Sequence, residues 1–375
     1  MAGIYLHIPF CRKACHYCNF HFSTRLQNKN AVVAALLTEI SQEAASLEGQ
    51  PIETIYFGGG TPSLLSAEEL NSLLAALAAN FNILRNAEIT LEANPDDINI
   101  ALLEEWKRAG INRLSIGVQS FREEDLQWMN RAHTATEALS GIRLAQDAGF
   151  ENITIDLIYG TPTLTDAAWE ENLDMALALN IPHLSCYALT VEPKTALQHL
   201  VETKQMPDTD AEQQARQFLY LMERTRAAGY EHYEVSNFAR EGWRSRHNSA
   251  YWKGIPYLGI GPGAHSFNGL SRRWNVSNNA LYVSGIENGL PVFEEEILTP
   301  DNQFNEYVMT ALRTMEGIQL SHVRNRYGDA GTDTLLQKAG KYVALQQVRI
   351  TEFSIQLTDA GKLYADGIAA DFFAD

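Results

Sequence analysis

Apolar, β-branched segments alternate with helix-patterned ones along the first 229 residues. Strands are predicted over 4–10, 54–57, 88–92, 113–118, 153–158 and 183–189. Helices are predicted over 31–47, 67–80, 100–109, 136–148, 168–178 and 210–228, several with Leu, Ile or Val three and four apart. Gly110, Gly149 and Gly229 follow three of these helices, where a left-handed cap residue is expected. Strand–helix units with short connections predict a parallel sheet. Six units are two short of a closed eight-fold barrel, so an open, partial (β/α)6 barrel is expected over 1–229, with its chemistry at the carboxyl ends of the strands. Over 230–300 the pattern turns irregular and aromatic-rich, with Trp243, Tyr251, Trp252 and Trp274. Over 301–375 a small α+β unit is expected. A helix over 302–315 and strand-like segments near 343–345 and 353–357 suggest a winged-helix-like appendage.

The residues after these strands carry the chemistry. The first strand runs straight into Cys11, Cys15 and Cys18, so three of the chain's four cysteines lie within eight residues. Such gaps let one tight loop turn three thiolates inward, and soft sulfur ligands suit iron–sulfur or zinc rather than magnesium or calcium. A complete cage takes four ligands. Either His16 or His21 completes a structural zinc site, or one metal position stays open for chemistry. The second strand runs into Gly58-Gly59-Gly60-Thr61-Pro62, where small residues let backbone approach a ligand. This loop has neither the Lys-Ser/Thr of a phosphate loop nor the spacing of a dinucleotide fingerprint. Its plainer reading is a tight turn before a helix capped by Ser66. Glu92 closes the third strand, Gln119 follows the fourth and Asp156 sits late in the fifth, so all would face one mouth. Cys186 stands alone in an apolar segment and is expected to be a small buried residue.

Composition narrows the class. The 375 residues, 45% hydrophobic and 20% charged, describe an ordinary globular protein with room for about two domains. A net charge of −17 argues against a broad nucleic-acid or anionic-membrane footprint. No basic and apolar leader is apparent at the start, and no apolar run approaches the ~20 residues that span a bilayer. A cytoplasmic setting is therefore expected, where clustered cysteines bind metal more often than they pair.

The string Tyr5-x-His-Ile-Pro-Phe-Cys-x-x-x-Cys-x-Tyr-Cys18, then Gly58-Gly-Gly-Thr-Pro62, resembles the radical S-adenosylmethionine (SAM) superfamily. The match continues in order through Leu91-Glu-Ala-Asn-Pro95, Arg113-Leu-Ser-Ile-Gly-Val-Gln-Ser-Phe121, Asn130-Arg131 and Ile155-Asp-Leu-Ile-Tyr-Gly160. It is similar to the branch of oxygen-independent coproporphyrinogen III oxidases and their haem-chaperone relatives, over nearly the whole chain. The resemblance implies an α/β radical-SAM partial barrel. In it, Cys11, Cys15 and Cys18 would hold three irons of a [4Fe–4S] cluster, with the amino and carboxylate groups of SAM on the fourth. It also implies SAM contacts from Tyr5, Tyr17, Gly59, Gly60, Thr61, Glu92, Gln119, Arg131, Asp156 and Ala188. The roles are chemically sound, since glycine backbone and a carboxylate can accept from an ammonium, Arg131 can pair with a carboxylate and Asp156 can bridge ribose hydroxyls.

Two departures point within that branch. The oxidases carry a further cysteine two residues past the third cluster ligand, where this chain has Phe20, and a longer segment ahead of the first motif. His247-Asn-Ser-Ala-Tyr-Trp252 resembles the His-Asn-x-x-Tyr-Trp signature of the haem chaperones. It implies haem binding by His247, Asn248, Tyr251 and Trp252, through imidazole ligation and aromatic packing on the macrocycle. Arg244 or Arg246 is expected to meet the propionates. Asn19 and His16 replace the Asp and Pro expected in that branch, which leaves the ligand type unchanged. The implied function is to carry haem and deliver it to acceptor proteins such as respiratory haemoproteins. Contact with membrane proteins would be peripheral, with no membrane anchor, and no nucleic acid is expected as a partner. The runner-up is oxidative decarboxylation of coproporphyrinogen III started by a 5′-deoxyadenosyl radical. A third reading is a zinc-stabilised binding module.

Overall fold

The computed structural model describes residues 1–374. Six parallel strands stand side by side in sequence order: β1 (Ala2–Ile8), β2 (Ile52–Gly59), β3 (Ile83–Ala93), β4 (Arg113–Gln119), β5 (Ile153–Tyr159) and β6 (His183–Ala188). Helices α1 (Lys29–Gln42), α2 (Ala67–Asn80), α3 (Ile100–Ala109), α4 (Glu123–Trp128), α5 (Ala135–Asp147) and α6 (Asp166–Ala178) connect them, and α7 (Ala196–Glu202) and α8 (Ala211–Ala227) follow. The expected partial (β/α)6 barrel is present.

Alternation along the strands builds it. Ile4, Leu6 and Ile8 on β1, Leu114, Ile116 and Val118 on β4, and Ile153, Ile155 and Leu157 on β5 are all buried. Each such side chain contributes about 1.5–3 kcal/mol through lost contact with water. Trp106 of α3 and Trp169 of α6 are fully buried in the same core. The intervening positions are polar and bond to one another: Tyr56 to Glu92 at 2.8 Å, Arg113 to Thr154, and Thr154 to His183 at 3.0 Å. Ends are set locally. Ser66 caps α2 by accepting from the Glu69 amide, while the Glu69 carboxylate accepts from the Ser66 amide. Gly110 stops α3 at φ +97°, where a Cβ would be strained.

The stretch expected to be irregular extends this sheet at both edges. β7 (Glu231–Glu234) and β8 (Asn237–Ala239) form an antiparallel pair, and β8 runs antiparallel beside β6. After α9 (Arg246–Trp252), β9 (Tyr257–Ile260) lies parallel to β1, followed outward by β10 (His265–Phe267), β11 (Ser271–Asn275) and β12 (Phe293–Ile297). α10 (Asn279–Glu287) packs on α1. Strands of three to five residues are too short to print a two-residue period, which is why the pattern looked irregular.

The remaining chain forms α11 (Pro300–Leu312), β13 (Ile318–Gln319), α12 (Leu320–Ala344), β14 (Val348–Ile350), β15 (Ser354–Leu357), α13 (Asp359–Lys362) and α14 (Ala365–Phe372). Its three antiparallel strands and helices share their own core around Val308, Leu312, Val323, Leu335, Ile355 and Phe372. This is the expected small α+β unit, with one correction. Residues 343–345 are not strand; they end α12, with Val343 and Leu345 exposed, and the first arm of the hairpin is β14. Gly328, at φ +76° and ψ 179°, breaks α12 into two arms.

Candidate functional site

The three cysteines follow β1 in one loop, each a free, half-buried thiol. Gly60 lets the second loop lie against them: a Cβ there would stand 2.6 Å from the Phe10 carbonyl oxygen. Thr61 Oγ1 donates to Cys11 Sγ at 3.4 Å, and Arg131 Nη1 donates to Cys15 Sγ at 3.3 Å. Burial pushes the Cys11 thiol up, and the Cys18 thiol up to about 11. The Cys11 and Cys18 thiolates therefore need cationic partners to persist here. Among the described residues, no three His, Cys, Asp or Glu side chains converge as a single ion requires. His16 Nδ1 faces the Trp128 carbonyl at 3.0 Å, and His21 Nε2 bonds Asn279 at 2.7 Å. A cubane makes a different demand, because each thiolate takes its own iron. Three donors on one loop suit that demand.

The neighbouring wall joins most of the other expected residues into one network. Glu92 accepts from Tyr56 Oη at 2.8 Å and from the Gly59 amide at 3.2 Å. Gly59 sits at φ +111°, and a Cβ would stand 2.7 Å from the His7 ring. Arg131 Nη2 donates to Asn94 Oδ1 and to the Gly117 carbonyl, both at 2.8 Å, while its Nε has no protein partner among the described residues. Nη1 also reaches Tyr17 Oη at 3.5 Å, and Asn94 Nδ2 donates to Thr61 Oγ1 at 3.1 Å. Gln119, at φ +67°, ends β4, and Ala188 ends β6 as an exposed residue. Tyr5 Oη lies 3.1 Å from His7 Nδ1. Burial raises the Glu92 carboxyl to about 7, helped by the charge of Asp156. Burial likewise raises Asp156 to about 6, opposed by Arg113. A carboxylate and a guanidinium at one mouth can recognise a zwitterionic amino-acid head group. The motifs do not single out Tyr56 or Arg113. Their signal is inward alternation, a buried polar residue every second position of a strand.

The segment from His247 to Trp252 is α9, and it divides. Ser245 caps it, and Glu88 takes the backbone amides of Arg246 at 3.1 Å and His247 at 3.0 Å. The first turn is thereby held at the strand starts, where His247 is only 2% exposed. Its Nδ1 is 2.7 Å from Thr54 Oγ1 and its Nε2 is 2.8 Å from Tyr251 Oη, so both ring nitrogens are engaged. Burial lowers its pKa to about 3. Asn248 spends its amide on the Ser245 cap. Tyr251 and Trp252, a turn later, reach the wall of a large cavity, where the buried Trp252 Nε1 has no partner among the described residues. The expected propionate partners are elsewhere. Arg244 pairs with Glu231 at 3.1 Å and Glu316 at 2.8 Å, and Arg246 holds the Asn86 carbonyl at 2.7 Å.

That cavity, about 670 Å³, lies between the barrel edge and the C-terminal unit. Ligand cavities commonly measure about 300–1,000 Å³. Aromatic rings dominate its lining, including Tyr5, Phe20, Tyr251, Trp252, Phe267 and Tyr307, with Lys253, Arg272 and Arg326 as its cations. Phe20, at 67% exposure, stands at this wall in the place where the oxidases are expected to carry a cysteine.

Comparison with known proteins fits this geometry. Residues 5–176 match the Radical SAM superfamily model. The Heme chaperone HemW of Bacillus subtilis is 34% identical over the full length of both chains, and that of Escherichia coli K12 is 40% identical over 70% of this chain and 69% of its own. The solved structure of the radical SAM enzyme coproporphyrinogen III oxidase (HemN) from E. coli superposes with a TM-score of 0.86 at 25% identity, covering 100% of this chain and 90% of that one. No helix of the described residues is long and apolar enough to cross a membrane. With full-length relatives above 30% identity, the chain belongs to the radical SAM superfamily and, within it, to the HemW family of haem chaperones.

Proposed function

We propose that this protein is a haem chaperone: it holds a [4Fe–4S] cluster and SAM at the barrel mouth, binds haem, and passes haem to acceptor proteins. The observation that carries the reading is the aromatic, cation-rimmed cavity beside the cysteine loop, in a chain whose full-length relatives are named haem chaperones. Cys11, Cys15 and Cys18 would hold the cluster, which supplies one-electron chemistry and an open iron for SAM. The protein's own groups do the rest. Glu92 and the Gly59–Thr61 backbone receive the SAM ammonium, Arg131 its carboxylate and Asp156 its ribose, while Tyr5, Tyr17, Gln119 and Ala188 shape the remaining wall. Tyr251 and Trp252 offer ring faces to the macrocycle. Asn248 and His247 support that helix from beneath, with His247 gripping the Tyr251 hydroxyl. Acceptors such as respiratory haemoproteins would be met from the cytoplasm.

The test is anaerobic reconstitution followed by titration with SAM and with ferric haem. Expected are a reduced-cluster EPR signal that SAM alters and one tightly bound haem per chain. Zinc without sulfide in a native preparation, or no stoichiometric haem, would count against the reading.

A further inference from the structure

Four imidazoles reach the wall of the large cavity: His7, His21, His265 and His322. They are not equally free. His7 spends Nε2 on the His21 carbonyl at 2.8 Å and Nδ1 on Tyr5, and His21 spends Nε2 on Asn279. Neither ring nitrogen of His265 or His322 has a hydrogen-bond partner among the described residues. His322 lies flat on Tyr307, 4.1 Å between centroids. His265 is exposed to the cavity at the start of β10, paired in register with Trp274.

The turn that carries His265 is built rigidly. Glu39, 4% exposed, accepts from the Gly261 amide and from Asn275 Nδ2, both at 2.7 Å, and from Tyr282 Oη at 2.5 Å. Asn275 also donates to the Gly261 carbonyl at 2.9 Å. Gly261 and Gly263 take φ +105° and +79°, so the Gly261–Ala264 segment turns back at once and presents the next residue. A fixed ligand on a braced turn is what metal recognition favours over a mobile one. At the same wall, the Lys253 ammonium has no partner among the described residues, and Arg326 is bonded to the neutral Gln303. Arg272, by contrast, is already neutralised by Glu306 at 2.9 Å.

Building on the haem-binding reading, we propose that His265 is the protein ligand to the haem iron. The macrocycle would then lie among Tyr251, Trp252 and Phe267, with Lys253 and Arg326 facing its carboxylates. His247 in this arrangement is a positioning residue, acting through the Tyr251 hydroxyl, rather than an iron ligand.

Ferric haem titration of the full chain tests it by absorbance and EPR, on wild type and His265→Ala. The variant is expected to bind at least tenfold more weakly with an altered ligand-field spectrum, and added imidazole should restore the wild-type signature. Because the ring is exposed, unchanged circular dichroism should accompany the loss. Wild-type affinity and spectrum in His265→Ala would overturn the assignment, and the same titration on His247→Ala and His322→Ala would then identify the ligating ring. Failure of the wild-type chain to bind haem would instead strike the proposed function itself.

Discussion

Glu92 links recognition to a stability cost that can be measured. In the ligand-free protein its carboxyl has a pKa of about 7, against 4.5 for the free group, because burial penalises the charge. A raised carboxyl pKa favours folding most where the group is protonated, below 4.5, and that contribution is lost as pH rises through about 7. The gap of about 2.5 units, at 1.36 kcal/mol each, makes the ionised form cost roughly 3 kcal/mol. Glu92→Gln removes the titration. Its amide oxygen can still accept from Tyr56, while the other end can no longer accept from the Gly59 amide, a loss of about 1 kcal/mol. The ligand-free variant should therefore gain about 2 kcal/mol over wild type at pH 8.5 and lose about 1 kcal/mol to it at pH 4.5. It should also bind SAM at least tenfold more weakly, having lost a charge-assisted contact. Urea unfolding at both pH values and anaerobic SAM titration measure the two effects. An equal stability difference at both pH values would refute the electrostatic reasoning.

The other predictions rest on neighbouring contacts. Arg131→Lys keeps the charge but cannot span Cys15, Asn94 and the Gly117 carbonyl together, so SAM affinity in calorimetry should fall by about 1.5–3 kcal/mol. Gly60→Ala drives a Cβ into backbone at 2.6 Å, and iron per chain after reconstitution should drop while the barrel still folds. Arg113→Met removes a fully buried cation opposed to Asp156, and should destabilise by about 3–5 kcal/mol at pH 8, less at pH 5 where Asp156 is largely protonated. The same destabilisation at both pH values would mean that Arg113 acts by packing alone.

Much of the barrel was legible because its strands are long enough to alternate and its helices end on glycines such as Gly110. The cysteine loop was legible because three ligands lie within eight residues. The edges were not, since β7 to β12 are too short for a period and draw their order from pairing across the sheet. The haem side shows the same limit. The His247–Trp252 string signals an aromatic platform, but no pattern states that the Glu88 carboxylate anchors its first turn away from the cavity. His265 lay unread behind a glycine-rich turn, and His322 and Arg326 sit about 60 residues further on, joined to it only by the packing of the C-terminal unit on the barrel edge. Three cysteines at this spacing favour iron–sulfur over zinc without excluding zinc; that His16 and His21 are already engaged, with the Trp128 carbonyl and Asn279, is visible only in the fold.

The most direct test of the central claim is haem delivery, measured on one anaerobic preparation alongside coproporphyrinogen III turnover. The cluster-loaded, haem-loaded protein should transfer haem to an apo-haemoprotein acceptor, and with SAM and a reductant it should form no protoporphyrinogen. Turnover of coproporphyrinogen III without haem transfer would contradict the account and return the chain to the oxidases.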